Sequence, residues 1–383
     1  MKKLILTALL VAASTMMMAQ VESFRDLINK GINAQELNLY DRAETYYRQA
    51  FQIAPDSAEA LFRLAMLQES GEFHYSALEN FHTGLLVISS LESSSGQIDL
   101  ATVYEHMAYC AAEVKDFDVV NKYAQLAIES NPSSASAMAS FALFYNHQEN
   151  YMNALSWANK AIAADPKYAR GYNVLGIIDY SKGDDAEAIK NFRKAMQLDP
   201  KNVDAYYNLA TMYCVRNNFE SALTTAKKGI QIAPKSPRLY NVLAWAYRLK
   251  GENEKAIQSY KQVLELDSNN VDALNMMGVI YTMRGDFELA QSCHRKAIKK
   301  APNNPDSYKW MGKSFCEQGN YNKALSYFQK STLISKDPET YLMIAEMYGR
   351  QHNSAKESSF YKKAAKAGNK TAQAWLTKRG MAW

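Results

Sequence analysis

Large apolar residues return along this chain on two helical spacings. Tyr206, Leu209, Ala210 and Tyr213 repeat as Tyr240, Leu243, Ala244 and Tyr247, each set forming one face of an amphipathic helix. A second face follows in each stretch, as in Ala188, Phe192 and Ala195, or Ala256, Tyr260 and Val263. Between the two faces stand turn signals, Gly183, Gly251, Gly285 and Gly319, where glycine can take the left-handed conformation that ends a helix. After the second face comes Pro55, Pro132, Pro166, Pro200, Pro234 or Pro302, which cannot continue a helix and disfavours a helical residue before it. The pattern predicts helical hairpins with a period of 34 residues.

With each proline at position 32, ten units follow: 24–57, 58–91, 101–134, 135–168, 169–202, 203–236, 237–270, 271–304, 305–338 and a degenerate 338–371. One insertion, 92–100 (ESSSGQIDL), reads as an exposed loop. Position 8 is always small: Gly31, Ala65, Ala108, Ala142, Gly176, Ala210, Ala244, Gly278, Gly312 and Ala345. Position 20 is alanine in most units, among them Ala43, Ala154 and Ala290. Small residues on both segments permit a close helix crossing.

This constellation resembles the tetratricopeptide repeat: a large residue at 4, Leu at 7, Gly or Ala at 8, Tyr at 11, Ala at 20, an aromatic at 24, Ala at 27 and Pro at 32. It departs from that pattern in having no Trp at position 4, and Ser89, Ser268 and Lys336 at position 32. Residues 361–376 look more like the related Sel1-type repeat. The resemblance implies an all-α fold, a right-handed superhelical α-solenoid of stacked hairpins spanning 20–371. Residues 372–383 form a C-terminal cap, with Trp375 shielding the end of the stack.

In proteins of this kind the first helix of each unit lines a concave groove through positions 2, 5, 6, 9, 12 and 13. Here those positions hold Arg170, Asn173, Tyr207, Asn208, Arg238, Asn241, Trp245, Asn275, Lys309 and Trp310, the candidate surface for an extended peptide or protein. Asparagine amides can pair with the backbone of an extended peptide whatever its sequence, or instead bridge neighbouring helices. The aromatic residues offer rigid contact area. The Lys and Asn pattern of a carboxylate clamp over three consecutive units does not align.

The composition, 48% hydrophobic and 22% charged, is that of a folded chain with ample core. Lys2 and Lys3, the apolar run Leu4 to Ala13 and the stretch to Ala19 have the layout of a secretory signal peptide over 1–19. The run is too short to span a bilayer, so no stable membrane insertion is expected after cleavage. Losing both lysines lowers the formal charge from +5 to +3, too weak and too mixed a balance to argue for nucleic acid or an anionic membrane. Cys110, Cys214, Cys293 and Cys316 have no zinc-ligand spacing and are expected as packed thiols, Cys293 with Cys316 being the pair to test. There is no GxSxG, GxGxxG, P-loop or HExxH, and His294 falls on the apolar core position 24. No cofactor or metal is implied.

The expectation is a non-enzymatic interaction scaffold, exported to the periplasm or cell envelope and resembling envelope proteins of Bacteroides-like bacteria. The alternative is an assembly subunit that works through its convex face or end cap.

Overall fold

The computed structural model describes residues 23–71, 73–90 and 99–383, which form helices and no strand. The signal segment 1–19 and most of the insertion, 92–98, lie outside the described residues. The chain divides into two compact units, one ending at Ala205 and one beginning at Tyr206.

The N-terminal unit contains α1 (Phe24–Glu36), α2 (Tyr40–Ile53), α3 (Ala58–Ser70), α4 (His74–Ser90), α5 (Leu100–Glu113), α6 (Phe117–Ser130), α7 (Ala135–His147), α8 (Tyr151–Ala164), α9 (Ala169–Lys182) and α10 (Asp185–Leu198). The division falls within α11 (Val203–Val215). The C-terminal unit continues with α12 (Phe219–Ile232), α13 (Pro237–Leu249), α14 (Asn253–Leu266), α15 (Val271–Met283), α16 (Phe287–Lys300), α17 (Pro305–Glu317), α18 (Tyr321–Ile334), α19 (Pro338–Arg350), α20 (Ser354–Lys366) and α21 (Lys370–Lys378). Successive helices pack as antiparallel hairpins. First helices of adjacent repeats also meet, α5 with α7, α7 with α9 and α15 with α17.

Local chemistry starts and stops these helices. Ser134, Asn150, Asp184, Asn218, Asn270 and Asn320 each accept a hydrogen bond from a backbone N–H in the first turn of the helix that follows. Each such cap contributes about 1 kcal/mol. Position 15 takes the left-handed conformation not only at Gly183, Gly251, Gly285 and Gly319 but also at Asn38, Lys115, Glu149, Asn217 and His352. The hairpin geometry imposes that backbone even where a Cβ makes it unfavourable.

The small residue at position 8 is a notch for the ring at position 24. A Cβ on Gly31 would lie 2.3 Å from Tyr47, on Gly176 2.8 Å from Phe192, and on Gly312 2.6 Å from Phe328. Those three rings are buried. The end of the stack is closed by Trp375 of α21, whose ring lies 3.8 Å from that of Tyr361 at 9°. Leu376 of the same helix is fully buried.

Candidate peptide-binding surface

In the N-terminal unit the polar side chains of the first helices are largely committed to one another. The Arg25 guanidinium of α1 lies 3.1 Å from Glu59 of α3, which also holds Arg63 at 3.1 Å. Glu69, at the end of α3, meets His106 Nδ1 of α5 at 2.8 Å and accepts from the Cys110 thiol at 3.5 Å. The Tyr109 hydroxyl donates to Asp204 at 3.1 Å. Arg170 of α9 stacks 4.1 Å over the Tyr109 ring and donates to Ser140 Oγ at 3.3 Å. Arg170 therefore ties α5, α7 and α9 together rather than projecting freely. Asn173 is buried, 3% exposed, which removes it from the exposed surface.

Burial by itself would push the His106 imidazolium down. The hydrogen bond and charge of Glu69, with the charge of Glu105, outweigh it and raise the pKa. A raised folded pKa means that this pair stabilises the fold most below the unfolded value and loses its contribution as pH rises through the folded value. Glu69→Gln should therefore destabilise by about 1 kcal/mol at acidic pH, a magnitude set by partial exposure, and by little at alkaline pH. Urea melts of both proteins across that range check it. A difference that grows with pH would refute the pairing.

A cleft of about 550 Å³ opens on the same unit, with Phe62, Met66 and Val103 beneath a rim of Arg25, Glu59, Arg63, Asp99 and Thr102. Glu59, Phe62, Arg63, Met66, Glu69, Thr102, His106, Tyr109 and Ser140 all occupy positions 2, 5, 6, 9 or 12 of their repeats. The positional rule that selected residues from Arg170 onward would have found them had it been applied to the earlier repeats.

In the C-terminal unit the candidates are differently placed. Asn275 is not on the surface: it is 2% exposed, donates to Ser307 Oγ at 2.9 Å and faces His294 Nδ1 at 3.3 Å. It bridges two repeats and supports a core histidine, because the small Ser307 leaves room for it. Lys309 is held by Asp306 at 2.8 Å and Asp337 at 3.6 Å, and Lys313 by Glu339 at 3.3 Å. Their charges are thus balanced within the fold, and the Trp310 ring lies beneath Lys313 at 4.6 Å.

Tyr207, Asn208, Arg238, Asn241 and Trp245 remain half-exposed. The Arg238 guanidinium lies 4.3 Å over the Tyr207 ring. Arg238, Asn241 and Trp245 are spaced 3 and 4 apart on α13, which puts them on one face. Among the described residues, Asn241 and Trp245 form no side-chain hydrogen bond. An amide and an indole N–H are therefore left for a ligand.

All four cysteines are unpaired thiols. Burial raises the pKa of Cys293 and Cys316, and pushes Cys214 up to about 12. None has the lowered pKa of a reactive thiol. Among the described residues, no group of three or more His, Cys, Asp or Glu is arranged to hold a metal. No described helix is long and apolar enough to cross a membrane.

Sequence profiles of the tetratricopeptide repeat match residues 28–72, 180–246 and 295–326, and a TPR repeat profile matches 244–285. The matched segments are tetratricopeptide repeats, and the stacked helical hairpins of each unit have that repeat's fold. Small glutamine-rich tetratricopeptide repeat-containing protein 2 of Saccharomyces cerevisiae is 35% identical over 79 residues, 20% of this chain and 22% of that protein. The match thus spans about a fifth of that relative's length. The structure of yeast Tom70 is similar with a TM-score of 0.55 and 14% identity, over 93% of this chain and 87% of that one. A tetratricopeptide repeat protein from Parabacteroides merdae has a TM-score of 0.51 and 19% identity, over 64% of this chain and 97% of its own. Both share the fold. Proteins built of these repeats generally act as protein-interaction scaffolds that bind proteins or peptides, and are generally not enzymes.

Proposed function

We propose that this chain is a non-enzymatic scaffold in the bacterial cell envelope, binding an extended peptide segment on the face formed by Tyr207 of α11 and Arg238, Asn241 and Trp245 of α13. The observation that carries this is the uncommitted polar capacity of Asn241 and Trp245, beside a ring and a guanidinium already stacked. The amide can pair with peptide backbone, and Trp and Tyr add contact area of the kind that dominates binding energy. Arg170, Asn275 and Lys309 are engaged within the fold and Asn173 is buried, so none of them is counted among the ligand contacts. Export rests on the leader-like residues 1–19, with the mature chain beginning at Gln20.

The test is cross-linking in envelope extract with the chain from Gln20, beside a Tyr207→Ala, Asn241→Ala, Trp245→Ala variant whose circular dichroism is unchanged. Loss of three contact residues at a hot spot should weaken the captured complex by about 100-fold or more. A complex retained at full strength would move binding to another face or to the end of the stack, as an assembly subunit requires. Recovery of the native chain from the cytoplasm with Met1 retained would overturn the export.

A further inference from the structure

The whole-chain charge of +5 conceals a strong local imbalance. From Arg350 to Arg379 there are eight Lys and Arg residues against one carboxylate, Glu357, a net +7 that leaves the rest of the chain at −2. All eight cations are exposed, and none forms an ion pair with a carboxylate among the described residues. Some lysines elsewhere do have carboxylate partners: Lys190 with Glu187, Lys255 with Glu252, Lys313 with Glu339. Some of the cations in this stretch lie over rings instead. Arg379 lies 3.8 Å over Trp375, Lys363 4.4 Å over Phe360 and Lys356 5.2 Å over Tyr348. Beyond α21, Met381 and Trp383 are 38% and 49% exposed.

We propose that α20, α21 and the residues after them form a surface that adsorbs peripherally to anionic lipid bilayers. A net charge of +7 within thirty residues is self-repelling, and an anionic plane relieves that repulsion. Six of the eight cations are lysine, a compact hydrated charge suited to a diffuse anionic surface. The bidentate recognition of a single carboxylate or phosphate favours arginine, and one of the two arginines, Arg350, already donates to the Tyr321 hydroxyl at 2.9 Å. Exposed Trp383 and Met381, beside Lys378 and Arg379, match the pairing of tryptophan and basic residues found at bilayer interfaces.

Co-sedimentation tests this with the chain from Gln20 and vesicles of phosphatidylcholine alone or with about 30 mol% phosphatidylglycerol. Binding is expected to the anionic vesicles only, and to fall steeply between about 0.05 and 0.5 M salt. A Lys362→Gln, Lys363→Gln, Lys366→Gln, Lys370→Gln variant should lose binding by about tenfold or more. A Lys190→Gln, Lys255→Gln, Lys313→Gln variant should retain it. The proposal is overturned if the wild-type chain ignores anionic vesicles, or if the two variants behave alike. It is also overturned if a polyglutamate peptide or single-stranded DNA binds this surface while vesicles do not, since the partner would then be an acidic macromolecule. Because the substituted residues lie far in sequence from Tyr207 and Trp245, failure here leaves the peptide-binding proposal standing.

Discussion

Gly312→Val should destabilise the C-terminal unit by about 3 kcal/mol, and Phe328→Ala should cost less in that background than it does in the wild type. Even the Cβ of residue 312 would come within 2.6 Å of the Phe328 ring, which is 1% exposed and cannot swing aside. Replacing glycine within a helix would normally help, since glycine costs up to about 1 kcal/mol in helix propensity. Here overpacking outweighs that gain. Phe328→Ala alone should cost about 3–5 kcal/mol, from lost burial and the cavity it leaves. In the double variant the valine methyls occupy part of that cavity, so the two losses should sum to more than the measured total by about 1–2 kcal/mol. Urea unfolding of the four proteins gives the cycle, and hydrogen exchange should place the weakening in α17 and α18. Strict additivity would mean that the ring does not sit in the glycine notch.

The second large effect is acid sensitivity at His294. This side chain is fully buried, and burial lowers its pKa from the ordinary value to about 4. Above the unfolded value near 6.5 the imidazole is neutral in both states and stability is unaffected. As pH falls from there toward 4, the unfolded chain takes up a proton that the folded chain refuses, and stability declines by about 3 kcal/mol in total. His294→Phe should abolish that decline, because Gly176 and Gly312 already receive phenylalanine rings in the equivalent notch. The substitution also removes Nε2, a buried nitrogen without a hydrogen-bond partner, whose desolvation costs about 1–3 kcal/mol. The variant should therefore be more stable than the wild type at pH 7.5, and more so at pH 5. A stability difference that does not change with pH would show that the imidazole is not held neutral. Asn275 keeps its bond to Ser307 throughout, so its loss of the His294 contact is a minor offset.

Periodicity made the hairpins legible, because position 8, position 24 and the proline at 32 report packing that every repeat shares. His294 could also be read as a core residue from register alone. The candidate surface was only partly legible. Position 5 lies where the open face of a first helix turns into the seam with its neighbour. Asn173 and Asn275 go inside, while Tyr207 and Asn241 at the same position stay half-exposed. Residue type does not decide between those outcomes. The Glu69–His106 bond could not be anticipated either, since it joins side chains 37 residues apart that differ in register. The left-handed turns at Lys115 and Glu149 carry no residue-type signal at all, and only their place in the frame marks them.

The notch and its ring also bear on how such a chain could lengthen or diverge. Wherever position 8 is glycine, position 24 is a ring: Tyr47, Phe192, His294 and Phe328. Wherever position 24 is alanine, at Ala124, Ala158 and Ala226, position 8 is alanine as well. The rule is not reciprocal, since Phe81, Tyr260 and Tyr361 stand at position 24 of repeats whose position 8 is Ala65, Ala244 and Ala345, and the two sites belong to different helices of the hairpin. A copied segment that broke between those helices could set glycine at position 8 against alanine at position 24, a pairing that would leave a void and that none of the ten repeats contains. Whole hairpins are therefore the pieces that duplication can move intact.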